Sequence, residues 1–189
     1  HMPLQPALGL CRSAVLLEAD ISYYQKAHQR ILIALEQRGA EVMEAGLGIF
    51  YMRIDGLEPM HGGEARLITS MLNAFPPHLM PHMGIGSGKF LAYLAASKSE
   101  PGGAVKLLDG AQELLSSFSV DFLPISREIR NRLHRFGLHT LGQVVSIPLG
   151  PLQAQFGSIG KLIWNLANGI DQYPLVPRHI KPEVKESIA

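Results

Sequence analysis

Residues 82–97 read HMGIGSGKFLAYLAAS, and this stretch decides the fold class. His82–Ile85 is a short, mostly apolar run, whereas Ser87–Ser97 is rich in alanine and leucine and has no glycine after Gly88. This pattern predicts a strand, a glycine-rich turn and a helix in direct succession. Such a unit is typical of domains in which helices pack on a sheet.

Strands and helices continue to alternate on both sides of this stretch. The predicted strands are Ala14–Leu17, Glu41–Met43, Leu47–Ile54, His82–Ile85 and Ala104–Leu107. The predicted helices are Pro3–Cys11, Ile21–Arg38, Glu64–Ala74 and Ser87–Ser97. Asp20 is suited to cap the second helix, Gly39 to end it, and Asp109 to start a further one. This alternation, which lasts to about Ser119, predicts an α/β (α+β) sheet domain with packed helices.

After Ser119 the pattern changes to short helices without a clear strand. The predicted helices are Ser126–Phe136, Thr140–Ser146 and Ser158–Asn168, separated by glycine and proline. They indicate a small all-α module. From Asp171 the chain is proline-rich and is predicted to be an extended linker.

Composition excludes several classes of protein. The net charge of the 189-residue chain is +1, and Cys11 is its single cysteine, so an internal disulfide and a multi-cysteine metal site are excluded. No apolar run reaches the ~20 residues that span a bilayer. His1-Met2 resembles a cloning remnant, and no signal peptide is recognised at the start. These features predict a cytoplasmic protein with no membrane partner.

One predicted helix separates apolar from basic residues. Projected at 100° per residue, one face carries Ile125, Ile129, Leu133 and Phe136. The other carries Arg127, Arg130, Asn131, His134 and Arg135. A DNA backbone contact and a solvated helix surface both explain such a basic face. The turn that follows leads to Thr140 at the start of the next helix, whose free amides are suited to phosphate. The candidate DNA-binding residues are Ser126, Arg127, Arg130, Arg135, Gly137, His139, Thr140 and Lys161.

Two other motifs carry little chemistry. Gly84–Lys89 resembles a phosphate-binding loop, but Met83 stands where the first glycine belongs. Phe90 replaces the hydroxyl residue that would bind magnesium. His78 and His82 have the spacing of a helical metal pair, but prolines interrupt that segment. We therefore expect a tight turn and no metal site.

Taken in order, these motifs resemble the UmuC/DinB (Y-family) translesion DNA polymerases over nearly the full chain. The segments that carry the resemblance are Met2–Leu4 with Ala7 and Cys11, Gly84–Ala92, Ala95–Ser97, Glu100–Gly103, Leu133–Thr140, Phe156–Gly160 and Gly169–Asp171. The resemblance implies a palm with partial fingers at 1–118, with the family's first strand missing. It also implies a helix-hairpin-helix thumb at 119–170 and a linker at 171–189 towards an absent little-finger domain.

The departures from the family pattern affect catalysis. Gly48 and Ile49 stand where the family has its metal-binding Asp and Glu, and Glu100 replaces a lysine that contacts the nucleotide triphosphate. The thumb hairpin, usually Gly-Ile-Gly, is Pro124-Ile125-Ser126 here, and proline has no amide to offer a phosphate. We therefore expect no catalytic residue, no nucleotide site and no metal.

These departures are similar to those of the ImuB-type branch, whose members also have a Gly-Gly-Glu like Gly62-Gly63-Glu64. That resemblance implies a non-catalytic adaptor that binds DNA weakly and without sequence preference, together with a sliding clamp and a partner polymerase. One alternative is an active lesion-bypass polymerase in which Glu44 or Asp55 takes over, with magnesium as cofactor. The other is a module that only binds proteins.

Overall fold

The structure is a computed structural model that describes residues 4–11, 13–107 and 112–178. Its strands are β1 (Glu41–Gly46), β2 (Ile49–Arg53), β3 (Met83–Ile85) and β4 (Ala104–Lys106). Its helices are α1 (Leu4–Leu10), α2 (Ile21–Glu36), α3 (Glu58–His61), α4 (Glu64–Leu72), α5 (Lys89–Ala96), α6 (Gln112–Ser116), α7 (Arg127–Arg135), α8 (Leu141–Val145), α9 (Leu149–Phe156) and α10 (Ser158–Ala167). A 3₁₀ turn, Val120–Phe122, precedes α7.

The four strands form two separate sheets of two strands each. β1 and β2 are antiparallel, with Met43 opposite Tyr51 and an irregularity between Glu44 and Gly46. β3 and β4 are parallel, and α5 connects them as parallel pairing requires. The strand, turn and helix predicted from residues 82–97 are confirmed as β3 and α5.

Two hydrophobic clusters hold these elements together. The first joins α2 and α4 to the hairpin through buried side chains that include Leu32, Leu35, Val42, Leu67 and Met71. The second joins α5 to the helices after residue 112 and includes Leu94, Leu133, Leu141, Ile163 and Leu166. Helices α2, α4, α5 and α10 therefore bury apolar residues that recur at helical spacing.

Side chains cap the starts of three helices, and two of these caps, Asp20 and Thr140, confirm expectations from the sequence. The Asp20 carboxylate accepts from the Tyr23 amide at 2.8 Å, and Ser126 Oγ accepts from the Ile129 amide at 3.3 Å. Thr140 shares a reciprocal capping box with Gln143 at the start of α8. Side chains thus satisfy amides that the first helical turn leaves free.

The strand predicted at Ala14–Leu17 is wrong. These residues pair with no strand in the described part of the chain, and Val15, Leu16 and Leu17 are 60–86% exposed. An extended segment without a ladder partner leaves its backbone groups to water. The helix start expected at Asp109 lies outside the described residues.

The helical region also differs from the prediction of three helices. α9 is an additional helix, because Pro151 is only its third residue and removes no internal hydrogen bond there. Phe136 was expected on the buried face of α7, but it follows the last helical residue and is 53% exposed. Among the described residues, no helix is long and apolar enough to cross a membrane.

Candidate functional site

A cleft of about 1000 Å³ lies between the two sheets. All five residues of β2 and all three of β3 line it, and residues 171–175 line it as well. β2 pairs only with β1, and β3 only with β4, so both strands have an unpaired edge within the described residues. The cleft is therefore bounded by backbone edges as well as by side chains.

Gly48 and Ile49 lie on the wall of this cleft, at the start of β2. Gly48 has φ +78°, and its amide donates to Nδ1 of the buried His28 at 3.0 Å. Ile49 is 45% exposed. The positions where the resemblance expects two acids therefore line the cleft, but they offer no oxygen ligand.

Two acidic side chains line the cleft, Asp55 and Asp171. Asp171 accepts hydrogen bonds from two backbone amides, whereas Asp55 lies in the turn after β2. Glu44 does not line the cleft, since its carboxylate contacts His28 Nε2 at 2.8 Å. No three His, Cys, Asp or Glu side chains of the described chain gather into a metal cluster. This donor set does not fit a two-metal site.

The glycine-rich turn before α5 is a packing contact. A Cβ on Gly84 would lie 1.9 Å from Ala92 O, and one on Gly86 would lie 2.8 Å from the Ala92 amide. The Phe90 amide at the start of α5 is already bonded to Asp171 Oδ2 at 3.0 Å. A phosphate would have to displace that carboxylate, so the turn is not a free phosphate cradle.

Burial affects one titratable group on the cleft wall. It raises the pKa of the Tyr51 hydroxyl, and the nearby Tyr93 and Asp171 raise it further because each disfavours a second negative charge. Tyr51 is therefore a neutral hydrogen-bonding group at physiological pH. Glu100 lies outside the cleft, in the exposed turn before β4.

The candidate DNA-binding residues fall at both ends of α7. Ser126 and Arg127 are at its start, and Arg135, Gly137, His139 and Thr140 are at or beyond its end. A rise of 1.5 Å per residue separates the two arginines by about 12 Å along the helix. Lys161 lies on α10 and is exposed. Ser126 and Thr140 are already used as helix caps.

Arg130 differs from the other candidate DNA-binding arginines because its guanidinium contacts the 3₁₀ turn of the protein itself. Its Nη1 donates to the Asp121 carbonyl at 3.2 Å, and its Nε is buried without a partner. The Asp121 carboxylate contacts His134 Nε2 at 2.9 Å, and His134 Nδ1 contacts His139 Nδ1 at 2.8 Å. The hydrogen bond from His134 lowers the pKa of Asp121, with smaller contributions from Ser119 and Arg130. The sequence did not predict this network, because it depends on how the 3₁₀ turn that carries Asp121 packs on α7.

The fold is similar to solved Y-family DNA polymerase structures. A DinB family error-prone DNA polymerase from Sulfolobus solfataricus superposes with a TM-score of 0.71 at 20% identity, covering 92% of this chain and 54% of that chain. The insertion ternary complex of Dbh DNA polymerase superposes with a TM-score of 0.68 at 20% identity, covering 92% of this chain and 52% of that chain. This similarity confirms the mixed α/β fold class.

The family is shown by sequence. A family model described as the impB/mucB/samB family matches residues 1–97, just over half of the 189-residue chain. This protein belongs to that family, within the Y-family DNA polymerase superfamily, which confirms the resemblance at that level.

Curated relatives match nearly the whole of this chain at low sequence identity. DNA polymerase IV of Dehalococcoides mccartyi (strain CBDB1) is 24% identical, over 98% of this chain and 49% of its own length. DNA polymerase IV of Yersinia pseudotuberculosis is 28% identical, over 97% of this chain and 53% of its own length. The chain thus spans about half the length of these relatives.

Proposed function

We propose that this chain is the palm and thumb part of a Y-family polymerase-like protein that binds DNA but transfers no nucleotide. Residues 1–118 serve as palm with partial fingers, 119–170 as a helix-hairpin-helix thumb, and 171–189 as a linker. The observation that carries the proposal is the pair Gly48 and Ile49 on the cleft wall. Two-metal phosphoryl transfer needs carboxylates there to clamp the attacking and leaving oxygens.

The acids that line the cleft do not replace the missing pair. Asp171 accepts from the Phe90 and Tyr173 amides, at 3.0 and 3.1 Å, so both of its oxygens are engaged. Asp55 would then have to hold two ions alone. Glu44 is directed to His28 on α2. The palm therefore serves as a scaffold in this proposal.

The unpaired edges of β2 and β3 support the expectation of a further strand before this chain. A strand between these edges would pair with both and would merge the two small sheets into one. It would also cover apolar cleft residues such as Phe50 and Met83, which pack only partly against the first cluster. We propose this cleft as the place of the family's first strand.

The thumb supplies the DNA contact in this proposal. Arg127, Arg135 and Lys161 are exposed, and none of the three forms an ion pair with a described residue. Contacts from such side chains to phosphates carry no sequence information. The proposed role is that of an adaptor similar to the ImuB-type branch, with a sliding clamp and a partner polymerase as partners.

One observation favours an active lesion-bypass polymerase instead. The curated relatives are named DNA polymerase IV, and they match nearly the whole of this chain. In that alternative Asp55 would bind magnesium together with acids from outside the chain. A module that only binds proteins is the third candidate, and loss of DNA binding would favour it.

Primer extension with magnesium or manganese tests the proposal. We expect no incorporation by the wild-type chain at any metal concentration that supports a Y-family polymerase control. Metal-dependent extension that Asp55→Ala abolishes and Glu41→Ala preserves would overturn the proposal and establish the polymerase alternative. Glu41 is a matched control because it is an exposed acid of the same hairpin, bonded to Arg53.

A further inference from the structure

Residues 171–178 leave the last helix and cross from one hydrophobic cluster to the other. They are fixed first at the start of α5. Asp171 Oδ2 accepts from the Phe90 amide at 3.0 Å, and the side chain packs so closely on Gly88 that a Cβ there would lie 2.8 Å from Asp171 Cβ. Lys89 Nζ donates to the Pro174 carbonyl at 3.1 Å. This end of the segment therefore belongs to the second cluster.

The other end is fixed on α2 and β1, in the first cluster. Arg178 Nε and Nη2 donate to the two carboxylate oxygens of Glu36 at 2.7 and 2.9 Å. The backbone amide of Arg178 donates to the Val42 carbonyl at 3.0 Å, on the edge of β1. Gln29 Oε1 accepts from Nη1 at 3.3 Å, and Glu44 Oε1 lies 3.9 Å from the same atom.

Burial distinguishes this ion pair from an ordinary surface contact. The Glu36 side chain is only 10% exposed, and Arg178 is the one cation paired with it in the described part of the chain. A buried carboxylate is costly without a partner, and a guanidinium that donates two hydrogen bonds to it is a strong and geometrically specific partner. The hydrogen bond to Glu36 raises the pKa of Arg178, so the guanidinium stays charged. By contrast, Arg53 and Glu41 are 48% and 53% exposed.

We propose that residues 171–178 form a strap that closes one side of the cleft, with Arg178 as its latch on Glu36. Since residues 171–175 line the cleft, release of the latch frees a wall of that space. The strap also fixes where the chain leaves the palm, next to α2 and β1. This inference does not depend on DNA binding or on catalysis.

Limited proteolysis of the full chain tests the latch directly. Trypsin cleaves after Arg178, and the fixed strap should protect that bond in the native state. Cleavage of a transiently opened segment follows the population of the open form when opening is fast. Glu36→Gln keeps the cleavage site and the side-chain shape but removes the charge, so we expect cleavage at 178 to accelerate about tenfold or more. Glu41→Gln is the matched control and should leave that rate unchanged.

A second variant separates the latch from general unfolding. Arg178→Lys keeps the positive charge and a trypsin site but loses the two-bond guanidinium contact with Glu36. We expect its cleavage rate after residue 178 to lie between the rates of wild type and Glu36→Gln, once each rate is divided by that of the same chain unfolded in urea. Hydrogen exchange should rise in residues 171–178 and stay constant in α10. Equal cleavage rates for Glu36→Gln and Glu41→Gln would overturn the proposal. So would acceleration spread over all arginines and lysines, because that result indicates global unfolding.

Discussion

His28 and Glu44 are joined by a 2.8 Å contact between Nε2 and Oε2, which links α2 to β1. His28 Nδ1 accepts from the Gly48 amide, so the ring proton lies on Nε2 and is donated to Glu44. The ring also stacks on Phe50 with a centroid distance of 4.5 Å. One buried imidazole thus positions the turn that carries Gly48 and holds the Glu44 carboxylate on α2, away from the cleft.

Removing the Glu44 carboxylate should destabilise the chain. Glu44→Ala leaves the buried Nε2–H of His28 without a partner, and we expect the free energy of unfolding to fall by about 1–3 kcal/mol. Urea denaturation measures this change. Glu41→Ala, which breaks an exposed pair with Arg53, should cost less than about 1 kcal/mol. Equal destabilisation in both variants would contradict the role assigned to His28.

Local signals in the sequence were sufficient for most of the fold. Helix caps such as Asp20 and Thr140 bond to amides within four residues of the chain, so the sequence alone predicts them. The error at Ala14–Leu17 arose because a strand needs a partner, and partners are not encoded locally. α9 was not predicted because Pro148 and Gly150 indicate a break between helices, whereas the structure has them at the N-cap and the second residue of α9.

The candidate site was predictable only in part. The missing acids at Gly48 and Ile49 followed from the family pattern, but the cleft beside them depends on the distance between two sheets. The Arg178–Glu36 pair joins residues 142 positions apart, and no periodicity relates them. Arg130 stays a candidate DNA contact, and its hydrogen bond to the Asp121 carbonyl could not be predicted because it depends on how the 3₁₀ turn packs on α7.

The glycine-rich turn should tolerate no Cβ. Gly84→Ala places a methyl group within 1.9 Å of the Ala92 carbonyl oxygen and 2.2 Å of the Ala96 amide nitrogen. Backbone atoms of a helix cannot move aside without breaking helical hydrogen bonds. We therefore expect the free energy of unfolding, measured by urea denaturation, to fall by about 3 kcal/mol or more. Gly150→Ala is the control, since a Cβ there meets nothing within 4 Å. It should be neutral or stabilise by up to about 1 kcal/mol. A mild effect of Gly84→Ala would mean that β3 and α5 pack less closely.

Asp121 should titrate below the ordinary aspartate range. The hydrogen bond from His134 lowers its pKa from 3.8, so its stabilising contribution is present above that value and disappears as pH falls through the lowered pKa. A carbon-detected NMR titration of the carboxyl group should show the low inflection, and His134→Ala should move it upwards. The control is His61→Ala, which removes a histidine that is hydrogen-bonded to the Arg38 carbonyl. This variant should leave the inflection of Asp121 unchanged. An unshifted inflection in His134→Ala would exclude the Asp121–His134 bond.

DNA binding should depend on the exposed cations of the thumb. The variant Arg127→Ala/Arg135→Ala/Lys161→Ala removes three positive charges while it spares Arg130, which is bonded to the Asp121 carbonyl. For each phosphate that is no longer neutralised, the slope of log affinity against log salt should decrease by about 0.9 on duplex DNA. Affinity should fall similarly for DNA of unrelated sequence, because contacts with phosphates do not distinguish one base sequence from another. A salt titration of fluorescent primer-template measures both quantities.

The matched control for this experiment is Lys26→Ala/Arg30→Ala/Arg66→Ala, which removes the same charge from exposed positions on α2 and α4. Wild type should bind weakly, with a dissociation constant of about 10⁻⁴–10⁻⁶ M at physiological salt. If both triple variants show the same decrease in slope, only net charge matters and the thumb is not the contact surface. If the thumb variant binds as wild type at every salt concentration, α7 presents a solvated surface. The function would then rest on protein partners, since a basic face that contacts no phosphate contributes nothing to DNA affinity.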